Sequence, residues 1–444
     1  MDNRWTRAVY EHAPVVVQNA MASLYGLVKL RGRYGAEQRR WRDHFERAAR
    51  WSDDEVRAWR RERLRHTIRS AWERVPFWRD RFRGAGLHPD DVRDVEDLPR
   101  LPVLEKDEIA RAGRAMLADG TDVRRLLVHP TSGSTGTPLT LYTPEETLHA
   151  VYGFVWARLR PGLSFRDPYA SFTGLEIVRP GADRPPFWRD NWAANQRMFS
   201  VFHLREEHLA AYARALDEQR PAYLEGYPPP IWVIADWMER HGVAPAHAPR
   251  AVFSTSEVLQ PHYRRTIEHV FRTRVWDQYS QGEFCASVTE YPCGHMHVDE
   301  DYGVLELLPV GEEDGLTVAD MVCTSLYNDA WPLLRYRVGD RCAYDPADRC
   351  SERPGRVIRR IIGRTGESFR LPDGTRVTNV SVIAKRCPNI RYLQVIQERA
   401  GEIEVRVVPD AGFEAPRDAD AIVAQFRRKV GPDLAIRVTT ADAP

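Results

Sequence analysis

The sequence predicts an α/β protein with a helical N-terminal region and a small α+β domain at its C-terminal end. Three observations carry this reading. Ser52-Asp53-Asp54-Glu55 is a capping box that opens a helix with an apolar face and arginines opposite. Between residues 99 and 362 short apolar runs alternate with helical stretches, which is the pattern of strands joined by crossover helices. Beyond residue 363 three strand-like runs flank a single helix. With 444 residues, 43% of them hydrophobic, the chain has material for two or three domains and a substantial core.

Residues 1–98 read as helical and packed on the main body. Val56, Trp59, Leu64, Ile68, Ala71 and Val75 supply an apolar face, and Val75-Pro76-Phe77-Trp78 ends or bends that helix. Leu98-Pro99-Arg100-Leu101-Pro102 is a connector into the core, residues 99–362. Leu126 to Val128 and Leu139 to Tyr142 read as strands on either side of a loop. Glu207 to Leu216 is helical, and Glu225 to Pro230 reads as a rigid turn. Arg250 to Glu257 is a buried strand running into a polar loop. His262 to Phe271 is helical, and Arg274-Val275-Trp276 starts another strand. In residues 363–444, Tyr392 to Ile396, Ile403 to Val408 and Leu434 to Val438 are strands, with a helix from Ala419 to Val430.

The formal charge is +1, which gives no support for nucleic-acid binding. Six cysteines and no signal peptide make a disulfide framework unexpected and the cytoplasm the expected compartment. The apolar run from Pro14 to Leu30 contains Gln18, Asn19, Ser23 and Lys29 and is too short and polar to span a bilayer. It could lie on a membrane surface, flanked by Arg4, Arg7, Arg31 and Arg33; packing on the main body is the plainer expectation. The oligomeric state is left open, a homodimer included.

The stretch that carries chemistry is Thr131-Ser132-Gly133-Ser134-Thr135-Gly136-Thr137-Pro138. Its glycines let backbone N–H groups converge on an anion, and its hydroxyls add donors. A polyphosphate suits it, although it lacks the Gly-Lys-Ser/Thr of a Walker loop. A flexible surface loop is the bland alternative. Tyr279-Ser280-Gln281-Gly282-Glu283 follows a strand. There a carboxylate beside a phosphate loop can hold Mg²⁺, and Tyr279 can stack on a base. Both residues are equally at home in a structural role. In Arg335-Tyr336-Arg337-Val338-Gly339-Asp340, the aspartate at a strand terminus can accept from a ribose diol or simply cap a turn. Ile361-Ile362-Gly363-Arg364 lies at the change in texture and reads as the hinge, with Arg364 available to ribose or phosphate.

In this order and spacing, the four motifs resemble the adenylate-forming superfamily. The stretch Asp97 to Lys106, Val75-Pro76-Phe77-Trp78 and Gly226-Tyr227-Pro228 resemble its phenylacetate–coenzyme A ligase branch, most of all the CapK-type proteins linked to capsular polysaccharide and natural-product clusters. The resemblance covers roughly residues 50 to 440. It implies a large multi-layer adenylation core, a small mobile C-terminal domain, and ATP and Mg²⁺ as reactants. A carboxylic acid would be activated as acyl-AMP and passed to an amine, hydroxyl or thiol acceptor such as coenzyme A. Carried over, Thr131, Ser132, Gly133, Ser134, Thr135, Gly136 and Thr137 hold the phosphates, with Thr135 among the catalytic groups. Ser256, Glu257 and Tyr279 approach adenine, and the hydroxyl that would contact the α-phosphate is missing unless Ser280 substitutes. Asp340 and Arg364 bind the ribose, Glu283 holds Mg²⁺, and Glu283 and Arg364 act in catalysis.

Two departures follow. Ser280 stands where the family has glycine and Gly282 where it has a hydroxyl residue. The family's C-terminal lysine has no counterpart in its usual place and Lys429 is poorly placed in the preceding helix, so adenylation would be slow, use an arginine such as Arg364 or Arg370, or give way to another reaction. Losing one such charge typically costs about 10²- to 10³-fold in rate. Two alternatives are therefore kept: a nucleotide-binding, non-catalytic partner of a biosynthetic assembly, and nucleotidyl transfer to a hydroxyl.

The resemblance also suggests a structural Zn²⁺ at Cys293, His297, Cys342 and Cys350, with His295 as an alternative ligand and buried free cysteines as the bland reading. Phe172, Trp188, Trp192, Phe199 and Phe202 would suit an aromatic or lipid-like acid, or simply the core.

Overall fold

The computed structural model describes residues 9–130, 139–179, 181–353, 355–364, 369–372, 376–377, 387, 389–410, 412–431 and 434–441. These fall into two compact units. One is drawn from Met1–Thr131, Pro138–Val338 and Cys342–Ile361, the other from Gly339–Arg341 and Ile362–Pro444.

The first unit begins with helices Val15–Arg33, Ala36–Ala48, Asp53–Arg74 and Pro76–Gly84. The capping box forms as expected: Ser52 N–H donates to Glu55 Oε2 at 2.8 Å, and Ser52 Oγ accepts from Glu55 N–H at 3.4 Å. Val75 is extended, and Pro76 opens the next helix in the first turn, where its missing N–H leaves no bond unmade. Leu64, Ile68, Trp78 and Phe82 are fully buried in one cluster with Val304, Met321 and Leu334. The Trp78 indole also donates to the Pro332 carbonyl at 2.9 Å. The N-terminal helices therefore complete the core of this unit.

A nine-stranded sheet forms the centre. Its order is Val357–Ile358, Met296–Val298, Ser287–Glu290, Val275–Ser280, Ala251–Ser254, Tyr223–Gly226, Tyr169–Phe172, Gln196–Phe199 and Trp188–Asn191. The pairs from Val275–Ser280 to Gln196–Phe199 are parallel, and both margins are antiparallel. Ala251–Ser254 is buried at every position, as a central parallel strand with both faces covered requires. Helices Glu206–Gln219, Pro228–Arg240 and Pro261–Phe271 connect these strands. The predicted turn from Glu225 to Pro230 is instead a strand end followed by a helix start, with Pro228 in the first turn, where proline is tolerated. Leu127–Pro130 and Thr140–Thr143 pair as an antiparallel hairpin, with His129 opposite Leu141.

Arg335 pins the connector to the core. Its guanidinium bonds Glu306 at 2.8–3.0 Å and the carbonyls of Pro99 and Leu101. Phe172 and Phe199 stack at 4.9 Å in the core, with Trp188 and Phe202 packed against the same cluster. Four of the five aromatics proposed for an acid pocket therefore serve packing, and Trp192 lies at the surface.

The second unit holds a three-stranded sheet. Ile390–Arg399 pairs antiparallel with Glu402–Pro409, which pairs parallel with Ala435–Thr440. Helix Ala415–Val430 connects the last two strands and buries Ile422 and Phe426 against Val405 and Val407. No helix among the described residues is long and apolar enough to cross a membrane.

Candidate active site

Three neighbouring parallel strands of the first unit end together and are knit there by backbone bonds. Tyr227 N–H donates to the Phe172 carbonyl at 2.9 Å, and Thr255 N–H to the Gly226 carbonyl at 3.0 Å. Gly226 has φ of +145°, and a Cβ there would lie 2.7 Å from the Phe172 carbonyl carbon, so the approach requires glycine. The carboxyl ends of parallel strands are where open α/β sheets bind ligands. Ser256 and Glu257 follow immediately, with Ser256 in the left-handed region at φ +66°. Tyr227 lies beside them. Burial raises its phenol, and the Glu257 charge adds to that shift.

Strand Val275–Ser280 delivers Tyr279 and Ser280 to the same edge. The chain then turns through Gln281 to Phe284, with Phe284 N–H donating to the Gln281 carbonyl at 3.1 Å. Glu283 sits on this turn, buried, and the Tyr336 phenol donates to its Oε1 at 3.4 Å.

Thr131 to Pro138 lies outside the described residues, so Thr131, Ser132, Gly133, Ser134, Thr135, Gly136 and Thr137 are placed only by their flanks. Both flanks meet the Glu283 turn. His129, on the entering strand, hydrogen-bonds the Gly282 backbone. Leu141, on the leaving strand, has Cδ1 3.3 Å from where a Gly282 Cβ would stand. Burial lowers the His129 pKa, which favours a neutral ring. The glycine that departs from the family pattern is therefore where the hairpin and the carboxylate turn touch.

In the second unit, Asp340 Oδ1 lies 3.7 Å from Arg364 Nε, a pair partly open to solvent. Asp340 was expected at a strand terminus. It lies within strand Tyr336–Tyr344, just after Gly339, whose φ of +83° kinks the strand.

A second cluster lies in the first unit, away from these residues in sequence. Cys293, His295, His297 and Cys350 bring one donor atom each to within 4.8 Å of one another. Gly294, at φ +82°, closes the hairpin turn before strand Met296–Val298. His295 and His297 are two residues apart and so project to the same face. Cys293 Sγ is 3.4 Å from His297 Nε2. Bonds from the Glu352 backbone and the His295 ring lower the Cys350 pKa. Cys342 is not in this group, which corrects the ligand set read from the sequence. Its thiol is buried in the main core and pushed up to about 12 by desolvation. His295 takes its place.

A cleft in the first unit, of about 910 Å³, is a different feature. It lies between helix Asp53–Arg74 and residues 300–307 and 344–357, and its charges of both signs include Arg57, Arg60, Glu300, Glu306 and Arg356. None of the sequence-predicted site residues lines it. Sequence reading missed His129, Tyr227 and Tyr336 as site residues. His129 borders the loop, Tyr227 follows the close-approach glycine and Tyr336 precedes Asp340, so adjacency to motifs was the available signal.

The chain is 26% identical to the protein CapK of Staphylococcus aureus over 84% of this chain and 81% of that protein. It is 25% identical to the phenylacetate-coenzyme A ligase of Pseudomonas putida over 71% of this chain and 72% of that enzyme. Among solved structures it is similar to 2-hydroxyisobutyryl-CoA ligase in complex with 2-HIB-AMP and CoA, with a TM-score of 0.55 and 19% identity over 88% of this chain and 87% of that one. No family model matches.

Proposed function

We propose that this chain, a homologue of CapK and the phenylacetate–coenzyme A ligases with the fold of adenylate-forming ligases, activates a carboxylic acid with ATP and passes the acyl group to an acceptor. One observation carries the reading within the molecule. The two strands that flank the Thr131–Thr137 segment in sequence both abut Gly282, the residue before the Glu283 carboxylate.

In the first step a substrate carboxylate oxygen attacks the α-phosphorus of ATP. The bond to the bridging oxygen breaks, and diphosphate leaves with the electron pair. Backbone N–H groups and hydroxyls of Thr131 to Thr137, Thr135 among them, are assigned to the phosphates. Ser280 is assigned to the α-phosphate. Ser256, Glu257 and Tyr279 are assigned to adenine, and Asp340 and Arg364 to the ribose. Glu283 would hold Mg²⁺; a buried carboxylate steadied by a phenol fits a hard cation whose remaining oxygens come from phosphate and water. When bound, the ion neutralises charge on the departing diphosphate. The protein's contribution is positioning and fixed dipoles. In the second step the acceptor attacks the acyl carbon and AMP leaves. Coenzyme A is one acceptor; the likeness to CapK supports an amine or hydroxyl from polysaccharide or natural-product assembly as another.

The cluster Cys293, His295, His297 and Cys350 is assigned to a structural zinc. Two thiolates and two imidazoles are a tetrahedral zinc donor set, whose donor–donor edges of about 3.4–3.8 Å are near the spacing present.

ATP–diphosphate exchange with a panel of carboxylic acids tests the proposal. Exchange with at least one acid is expected. Folded protein that binds ATP by calorimetry but exchanges with none would assign the chain to the non-catalytic nucleotide-binding class instead. Label recovered as AMP on an acceptor hydroxyl would assign it to nucleotidyl transfer.

A further inference from the structure

Helix Val15–Arg33 is packed with its polar side inward. Gln18 and Asn19 are buried, and their side chains reach strand Trp188–Asn191: Gln18 Oε1 accepts from Arg189, and Asn19 Oδ1 accepts from Asp190 N–H at 3.1 Å. Ser23 Oγ accepts from Trp192 N–H at 2.9 Å. Gly26 lies against Asn191, where a Cβ would stand 2.6 Å from its amide nitrogen. The helix is thus held by hydrogen bonds and a close approach.

Its apolar side faces out. Val16 is 68% exposed, Leu24 66% and Val28 61%, with Val17 and Leu27 also exposed. At 100° per residue these five and Arg31 fall within an arc of about 120°. Trp192, 55% exposed, and Tyr25 stand beside the helix or on its margin. A soluble surface helix has the opposite arrangement, and an exposed apolar strip of this length marks a contact surface.

Charge identifies the occupant. The helix contains no acidic residue; exposed Arg31 lies within the apolar arc, Lys29 is about 100° beyond it, and Arg33 is turned over the Tyr152 ring at 4.6 Å. Lys29 extends over the Tyr25 ring at 4.5 Å. A second copy would offer no carboxylate on this strip to pair with them. An anionic bilayer surface would, and it also takes aliphatic side chains below and Trp, Tyr and Lys at the headgroup level.

We propose that the outer face of helix Val15–Arg33, with Trp192, docks the protein on an anionic lipid surface, the helix lying flat in the interface.

The test is co-sedimentation of the full chain with vesicles of phosphatidylcholine alone and with about 30% phosphatidylglycerol. Binding to the anionic vesicles, weakened by salt, is expected. The double variant Leu24→Glu/Val28→Glu should lower partitioning by about tenfold or more, and Arg31→Gln by about fivefold. Leu24, Val28 and Arg31 are exposed, and unchanged thermal melts would confirm that folding is intact. Wild-type protein that stays in the supernatant, or a double variant that sediments equally, overturns the proposal. A concentration-dependent dimer lost in the double variant, without vesicle binding, assigns the face to a second copy and also overturns it.

Discussion

The Tyr336 phenol donates to Glu283 Oε1 at 3.4 Å, joining the strand that leads to Asp340 with the turn that follows Tyr279. The two residues are 53 positions apart, yet they sit in different motifs of one proposed site. The contact is long, so the phenol steadies the carboxylate without neutralising it. If Glu283 holds the metal, Glu283→Gln should lower ATP–diphosphate exchange by about 10²- to 10³-fold. Tyr336→Phe removes one modest hydrogen bond and should cost only about fivefold. Equal losses in the two variants would mean that the pair is structural.

The cysteine–histidine cluster makes a separate prediction about metal content. Purified protein should carry one zinc per chain by elemental analysis. Cobalt exchanged into the site should show the visible absorption of a tetrahedral thiolate complex. Cys293→Ser and His295→Ala should each lose the metal and lower thermal stability, whereas Cys342→Ser should keep it, because Cys342 lies in the core. Metal retained in His295→Ala and lost in Cys342→Ser would restore the ligand set expected from sequence.

These cases show what was legible in the sequence. The helical start, the alternating core and the three-strand end follow from periodicity and capping, which are local signals, and Ser52 with Glu55 behaves as its spacing requires. The site motifs were legible as strings. Their contacts were not, because His129 meets Gly282 across 153 positions only once the sheet is built. Cys342 looked like a ligand by resemblance, but the folded chain buries its thiol in the core. The aromatics between Phe172 and Phe202 have the composition of either a pocket or a core, and only burial separates the two.

Asp277 gives a pH dependence with a definite sign. Its carboxyl lies opposite Ser254, near Arg264 and Glu290, and desolvation pushes its pKa up to about 6. Between about pH 4 and 6 the folded state then holds a proton that the unfolded state has released. Stability therefore falls as pH rises through that window, and the loss is complete above it. Asp277→Asn keeps an acceptor for the Gln278 N–H and removes the titration. The variant's stability relative to wild type should increase from pH 4 to pH 7 by up to about 2.5 kcal/mol, read from denaturant midpoints at each pH. A difference that stays flat with pH would show that Asp277 is solvated.

Gly226 tests whether the knitted strand ends position the site. At φ +145° an L-residue is strained in any surroundings, and here its Cβ would also meet the Phe172 backbone. That backbone cannot move alone, because the Phe172 carbonyl accepts from Tyr227 N–H and the Gly226 carbonyl from Thr255 N–H. Gly226→Ala must therefore push apart strands Tyr169–Phe172 and Tyr223–Gly226; the second leads into Tyr227 and is bonded at its end to Thr255, which precedes Ser256 and Glu257. A loss of about 2–4 kcal/mol in folding stability is expected. Nucleotide affinity should fall as well, even at temperatures where the variant is fully folded. Calorimetry with ATP on folded variant protein reads the second effect directly. A variant that is destabilised yet binds ATP as wild type does would separate these strand ends from the nucleotide site.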